Sequence, residues 1–179
     1  EEAVTQLRSA RKEAAALPPS HEKAYILISI GRLYSRLSLH EESAQLQDLS
    51  YKVLMQGAAV AESIDDPRAM SFAYGYLGTA FEQAGQTEQA MEYTGRALRQ
   101  LQEIGAPEIR YRWQWQEARL LGATGNRDAA IRAYQRAVDD LQTIRPALAA
   151  GYMGRHGDFR NESGRLYLEL ADLLLRRAA

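Results

Sequence analysis

The sequence predicts an all-α chain, a stack of helical hairpins with about eight helices, and three observations carry that reading. Pro67, Gly78, Gly85, Ala90, Ala97 and Ile104 return 40 residues later as Pro107, Ala118, Gly125, Ala130, Ala137 and Ile144. A fixed period between about 20 and 50 residues marks units that cannot bury their apolar faces alone and must stack. Apolar positions recur at three and four, and runs alternating every second residue are absent, which is the helical period without the strand period. Finally, Pro18-Pro19-Ser20, Asp65-Asp66-Pro67, Gly105-Ala106-Pro107 and Arg145-Pro146 each close one helix and open the next, since proline is tolerated at a first helical position.

Element by element, this places helices over Glu2 to Leu17, His21 to Leu37, Glu41 to Ile64, Pro67 to Ala84, Thr87 to Ile104, Pro107 to Thr124, Arg127 to Ile144 and Ser163 to Ala178. Asp66 before Pro67 is a good N-cap. In the tight turns Ala84-Gly85-Gln86-Thr87 and Thr124-Gly125-Asn126-Arg127, glycine takes the left-handed cap conformation, and Thr87 or Asn126 accepts from the next helix's free amides. Grouped in units, residues 1–17 are the second helix of a truncated unit, 20–64 an extended unit, 67–105 and 107–145 two regular units, 147–162 an insert and 163–179 a last helix, all in one domain. The extended unit carries about seven additional residues around Ser38 to Ser50, which either add turns to a helix or form a loop. A start at Glu1, without methionine and inside a helical pattern, fits a piece of a longer protein, so association through cut faces is expected to be able to produce dimers.

Composition narrows the function. The 22 basic and 23 acidic residues leave a formal charge of -1, so no global field collects nucleic acid or anionic lipid. Cysteine is absent, which removes disulfides, thiolate metal sites and a cysteine nucleophile. No apolar run reaches the roughly 18 residues of a membrane span. The chain reads as soluble, with the cytoplasm favoured.

Small residues stand where paired helices must approach closely: Gly31, Gly78, Ala118 and Ala171 in first helices, Ala90, Ala97, Ala130 and Ala137 in second helices. Ile30, Leu77 and Leu170 precede the small residue, with Glu117 as the exception, and Tyr34, Phe81, Leu121 and Leu174 follow three later. This pattern resembles the tetratricopeptide repeat over most of the chain, although the units are longer than that family's usual length of about 34 residues. The resemblance implies a right-handed superhelical α-α solenoid. Read together, Gly31-Arg32-Leu33-Tyr34, Ser71-Phe72-Ala73-Tyr74-Gly75-Tyr76-Leu77-Gly78, Tyr111-Arg112-Trp113-Gln114-Trp115-Gln116 and the run from Tyr167 to Leu174 are similar to the tetratricopeptide region preceding the caspase-like CHAT domain of bacterial proteins. That resemblance implies a regulatory or sensing segment of a larger protein, with the catalytic histidine and cysteine in a CHAT domain beyond it.

In tetratricopeptide stacks the first helix of each hairpin lines the concave side. That register turns Tyr25, Arg32 and Arg36 inward, then Phe72, Tyr76, Thr79 and Gln83, then Arg112, Trp115 and Arg119, then Asp172. The same register turns Ile28, Glu82, Gln116, Arg165, Glu169 and Arg176 inward as well. Aromatic side chains and arginine bury large area at low entropy cost and still hydrogen bond, so the expected ligand is an extended peptide or protein segment with acidic side chains. Against this stands a plainer account: Trp113 and Trp115, two apart, point in different directions and one packs as core, while arginines more often lie solvated or ion-paired.

Other chemistry is thin. Ser163, His156 and Asp158 lie close in sequence but without an oriented base or oxyanion hole. Gly151, Gly154 and Gly157 follow no strand and precede no Gly-Lys-Ser/Thr, so they read as turn glycines. His21, His40 and His156 stand singly, and Asp139-Asp140 and Glu41-Glu42 read as solvated helical pairs. No catalytic, cofactor or metal site is expected. The expectation is a binding module rather than an enzyme, with a self-associating scaffold or an intramolecular regulator as the alternative.

Overall fold

A computed structural model describes the backbone of residues 2–149 and 156–178 and the side chains of 2–146 and 164–177. Among the described residues the chain is all-helical, with α1 (Glu2–Ala16), α2 (His21–Glu41), α3 (Ala44–Ser63), α4 (Pro67–Gln83), α5 (Thr87–Gln100), α6 (Pro107–Ala123), α7 (Arg127–Ala149) and α8 (His156–Ala178). No strand occurs among them. Two compact units hold these helices: 1–104 with α1 to α5, and 105–179 with α6 to α8.

Local chemistry sets the boundaries. Ser20, Ser43 and Asp66 accept from Lys23, Leu46 and Ala69 amides at 3.2, 3.3 and 2.9 Å, each occupying an N–H that its helix cannot bond internally. Gly85 and Gly125 take φ of +72° and +81° in the hairpin turns, a region that side chains with a Cβ rarely enter. Asn126 caps α7 through Ala129 at 3.4 Å, as expected. Thr87 does not cap α5; it is the first helical residue, and Gln86 before it makes no side-chain cap bond.

The stretch 38–50 is helical on both sides of a single break. α2 runs on to Glu41, Glu42 turns the chain at φ +47°, and α3 starts behind the Ser43 cap. The additional residues therefore lengthen both helices of the first hairpin, to 21 and 20 residues against 17 and 14 in α4 and α5. α7 continues through Pro146 to Ala149, and α8 begins at His156, so backbone that the sequence assigned to an insert over 147–162 is partly helix. Residues 150–155, and with them Gly151, Gly154 and Arg155, lie outside the described residues, as do the side chains of His156, Asp158 and Ser163.

In the first unit α2 packs on α3, α3 on α4 and α4 on α5, while α4 also touches α2 and α1 lies against α2. Leu27, Ile30 and Tyr34 of α2, Leu46 and Val53 of α3 and Ala14 of α1 form one buried cluster. Close approach is enforced by glycine: a Cβ on Gly31 would sit 2.6 Å from Leu54 Cγ, and one on Gly57 would sit 2.9 Å from Ile28 Cγ1. In the second unit α6 packs on α7 and α7 on α8, around Tyr111, Trp115, Tyr134, Leu141, Ile144 and Leu166. Arg110 grips Asp140 with two parallel bonds of 2.7 and 2.5 Å, and Asp140 is 8% exposed. The reading of Asp139-Asp140 as a solvated pair thus holds for Asp139 and fails for Asp140, which α6 covers with a guanidinium.

A candidate peptide-binding face on the first unit

Two helices build the site, and their spacing explains it. Residues three and four apart share a helix face, so Tyr25, Arg32 and Arg36 line one side of α2, and Phe72, Tyr76, Thr79 and Gln83 one side of α4. The contact between α2 and α4 brings these two rows together.

The result is a ladder of rings. His21 and Tyr25 lie with centroids 4.5 Å apart, Tyr25 meets Phe72 edge-on at 5.9 Å, and Phe72 stacks against Tyr76 at 6.1 Å. The Arg32 guanidinium closes the ladder, 5.1 Å from the Tyr76 ring centre. Tyr25, Phe72 and Tyr76 are half-buried, each keeping part of its surface open, while Arg32 and Arg36 are exposed. The far end is pinned by His21, whose Nδ1 lies 2.5 Å from Asp66 Oδ2, while Asp66 Oδ1 caps α4. Burial first, and the Asp66 charge second, push the Tyr25 hydroxyl above its ordinary value, the nearby Arg68 opposing them.

Beyond the ladder, Arg32, Ser35, Arg36, Tyr76, Thr79 and Gln83 enclose a recess of about 90 Å³. Ser35 donates to Gln83 Oε1 at 2.7 Å, and this pair is also the wall of a larger open cleft of about 430 Å³. Ser38, Leu39, Ser43 and Gln47 line that cleft. Sequence reasoning missed it, although Ser35 and Ser38 follow Arg32 at intervals of three on the same helix face.

Seven of the eleven sequence-predicted binding residues therefore converge on this face: Tyr25, Arg32, Arg36, Phe72, Tyr76, Thr79 and Gln83. The other four lie in the second unit and do different work. Trp115 is 7% exposed and its Nε1 donates to Glu169 at 2.6 Å, with the Tyr134 hydroxyl donating to the same oxygen at 3.1 Å. Trp113 is buried as well. Arg119 covers the Trp115 ring at 5.2 Å, and Arg112 turns to Tyr111, donating to its hydroxyl at 3.2 Å. Asp172 is exposed on α8 and pairs with Arg176 at 2.9 Å. Trp115 thus belongs to a packed aromatic core on which Arg112 and Arg119 lie, and Asp172 stands outside it.

Among the described residues no three histidine, cysteine, aspartate or glutamate side chains cluster as metal ligands, and no helix is long and apolar enough to cross a membrane. His40 is exposed. The chain matches no known family model and no curated protein.

Proposed function

We propose that this chain is a protein-interaction module of tetratricopeptide type, rather than an enzyme, and that the face shared by α2 and α4 holds an extended segment carrying acidic side chains. The observation that carries this is the half-exposed ladder Tyr25-Phe72-Tyr76, ending in the exposed Arg32 and Arg36 beside a recess. Ring surfaces left partly open lose little entropy when a ligand covers them, and two guanidiniums at the same edge select carboxylates by their forked donors. Ser35, Thr79 and Gln83 add hydroxyl and amide groups able to meet a peptide backbone. Helical hairpins with small residues at the closest approach support the repeat reading. A regulatory place beside a CHAT domain rests on the sequence resemblance.

Selection of a displayed random-peptide library on this chain tests the proposal. Enriched peptides should be rich in aspartate and glutamate, and the variant Arg32→Ala, Arg36→Ala, Tyr76→Ala should lose them while keeping its helical circular dichroism. Enrichment without acidic bias, or retained in full by the triple variant, overturns it.

A further inference from the structure

Four helices share one register, with a small residue at Gly31 in α2, Gly78 in α4, Ala118 in α6 and Ala171 in α8, and Ile28, Gly75, Trp115 and Leu168 three residues before it. In α2, α4 and α6 these positions are buried. The first two hairpins show what covers them. Gly31 abuts Leu54 of α3 and Ile28 abuts Gly57, while Tyr74 and Phe81 of α4 meet Tyr93 of α5 at 6.2 and 5.3 Å. In α8 the same face is open: Leu168 is 70% exposed, Leu175 72%, and Tyr167 and Leu174, the counterparts of Tyr74 and Phe81, 41% each. The opposite face of α8 is the anchored one, through buried Leu166 and the Glu169 bonds.

A matching face exists on α1, which stands in the register of α3. Leu7, Ala10 and Ala14 take the places of Leu54, Gly57 and Ala61. All three α3 residues are buried, yet of their counterparts only Ala14 is, at the edge of the α2 cluster; Leu7 and Ala10 also touch that cluster but stay half-exposed, and Ala3 is exposed.

We propose that α8 of one copy docks antiparallel on α1 of a second copy, rebuilding between chains the contact that α2 and α3 make within one. The register sets Ala171 against Leu7 and Leu168 against Ala10, as Gly31 stands against Leu54 and Ile28 against Gly57. It also brings Arg165 level with Glu13 and Arg176 level with Glu2, opposite charges at both ends of the seam. Symmetric pairing of α8 with α8 about Ala171 lacks that match, because Arg165 then falls level with Arg177. The contact joins two different helices, so each copy offers one α8 face and one α1 face.

Light scattering across a concentration series reads this directly. The parent chain should gain mass with concentration. Leu168→Glu with Leu175→Glu blocks α8, and Ala3→Glu with Gln6→Glu blocks α1; all four sites are exposed, so circular dichroism should be unchanged. Each variant alone should stay monomeric, and an equimolar mixture should form a dimer and stop there, because one free α1 face and one free α8 face remain. A parent that stays monomeric throughout, an α1 variant that still self-associates, or a mixture that stays monomeric overturns the proposal.

Discussion

At Gly31 the absence of a side chain fixes how closely α2 and α3 approach. A methyl group there would meet Leu54 Cγ at 2.6 Å and the Leu54 backbone nitrogen at 3.1 Å, and the nitrogen, held in α3, cannot swing aside. Alanine in place of glycine gains up to about 1 kcal/mol of helix propensity, but overpacking of a filled core costs about 1 to 3 kcal/mol. The second effect wins, so Gly31→Ala should lower stability in urea unfolding, and Leu54→Ala in the same chain should cost less than it does alone. Tyr74 makes the complementary point with a polar group. It is 6% exposed and its hydroxyl donates to Glu62. Burial, then that bond, then the Glu62 charge push its pKa from 10.0 up to about 12. The folded chain thus holds the phenol proton more tightly than the unfolded chain, so this contribution is complete below about pH 10 and is lost as the pH rises through about 12. Tyr25, Tyr34 and Tyr51 are raised by burial too and act with the same sign. Urea midpoints measured at stepped alkaline pH should therefore fall, and fall less steeply in Tyr74→Phe.

Among the elements, α8 depends on a carboxylate. Glu169 receives the Trp115 indole and the Tyr134 hydroxyl, tying α8 to α6 and α7 beside buried Leu166. Truncation strands two buried donors at about 1 to 3 kcal/mol each. Glu169→Ala should accordingly raise hydrogen exchange across α8 and shift tryptophan emission to the red, while Glu169→Gln, which keeps an acceptor, should do less. Nothing near Glu169 in the sequence announces this, because its partners lie 54 and 35 residues away. The same distinction runs through the other elements. Helix breaks at Asp66-Pro67, Gly85 and Gly125 were legible because caps, prolines and left-handed glycines act within a few residues. The break at Glu42 was placed a few residues early, between Leu37 and Glu41, since the left-handed turn there is made by a glutamate. Pro146 misled in the other direction: a proline removes one helical N–H bond, yet α7 keeps its helical course past it.

For the molecule as a whole, the candidate face on the first unit was readable from sequence because helical spacing alone decides which residues of α2 and α4 share a side. Its counterpart on the second unit was not, because spacing cannot say that the Trp115 indole has an internal acceptor. A formal charge of -1 also leaves any attraction for an acidic ligand to local arginines rather than to a global field. The most direct test is the dissociation constant of a selected acidic peptide, followed by fluorescence anisotropy across a salt series in the parent chain, in Arg32→Ala with Arg36→Ala, and in the exposed control Arg132→Ala. The account predicts weakening by about tenfold or more, roughly 1.4 kcal/mol, and a flattened salt dependence in the double variant alone. Equal weakening in the control, or an unchanged salt dependence in the double variant, would contradict it.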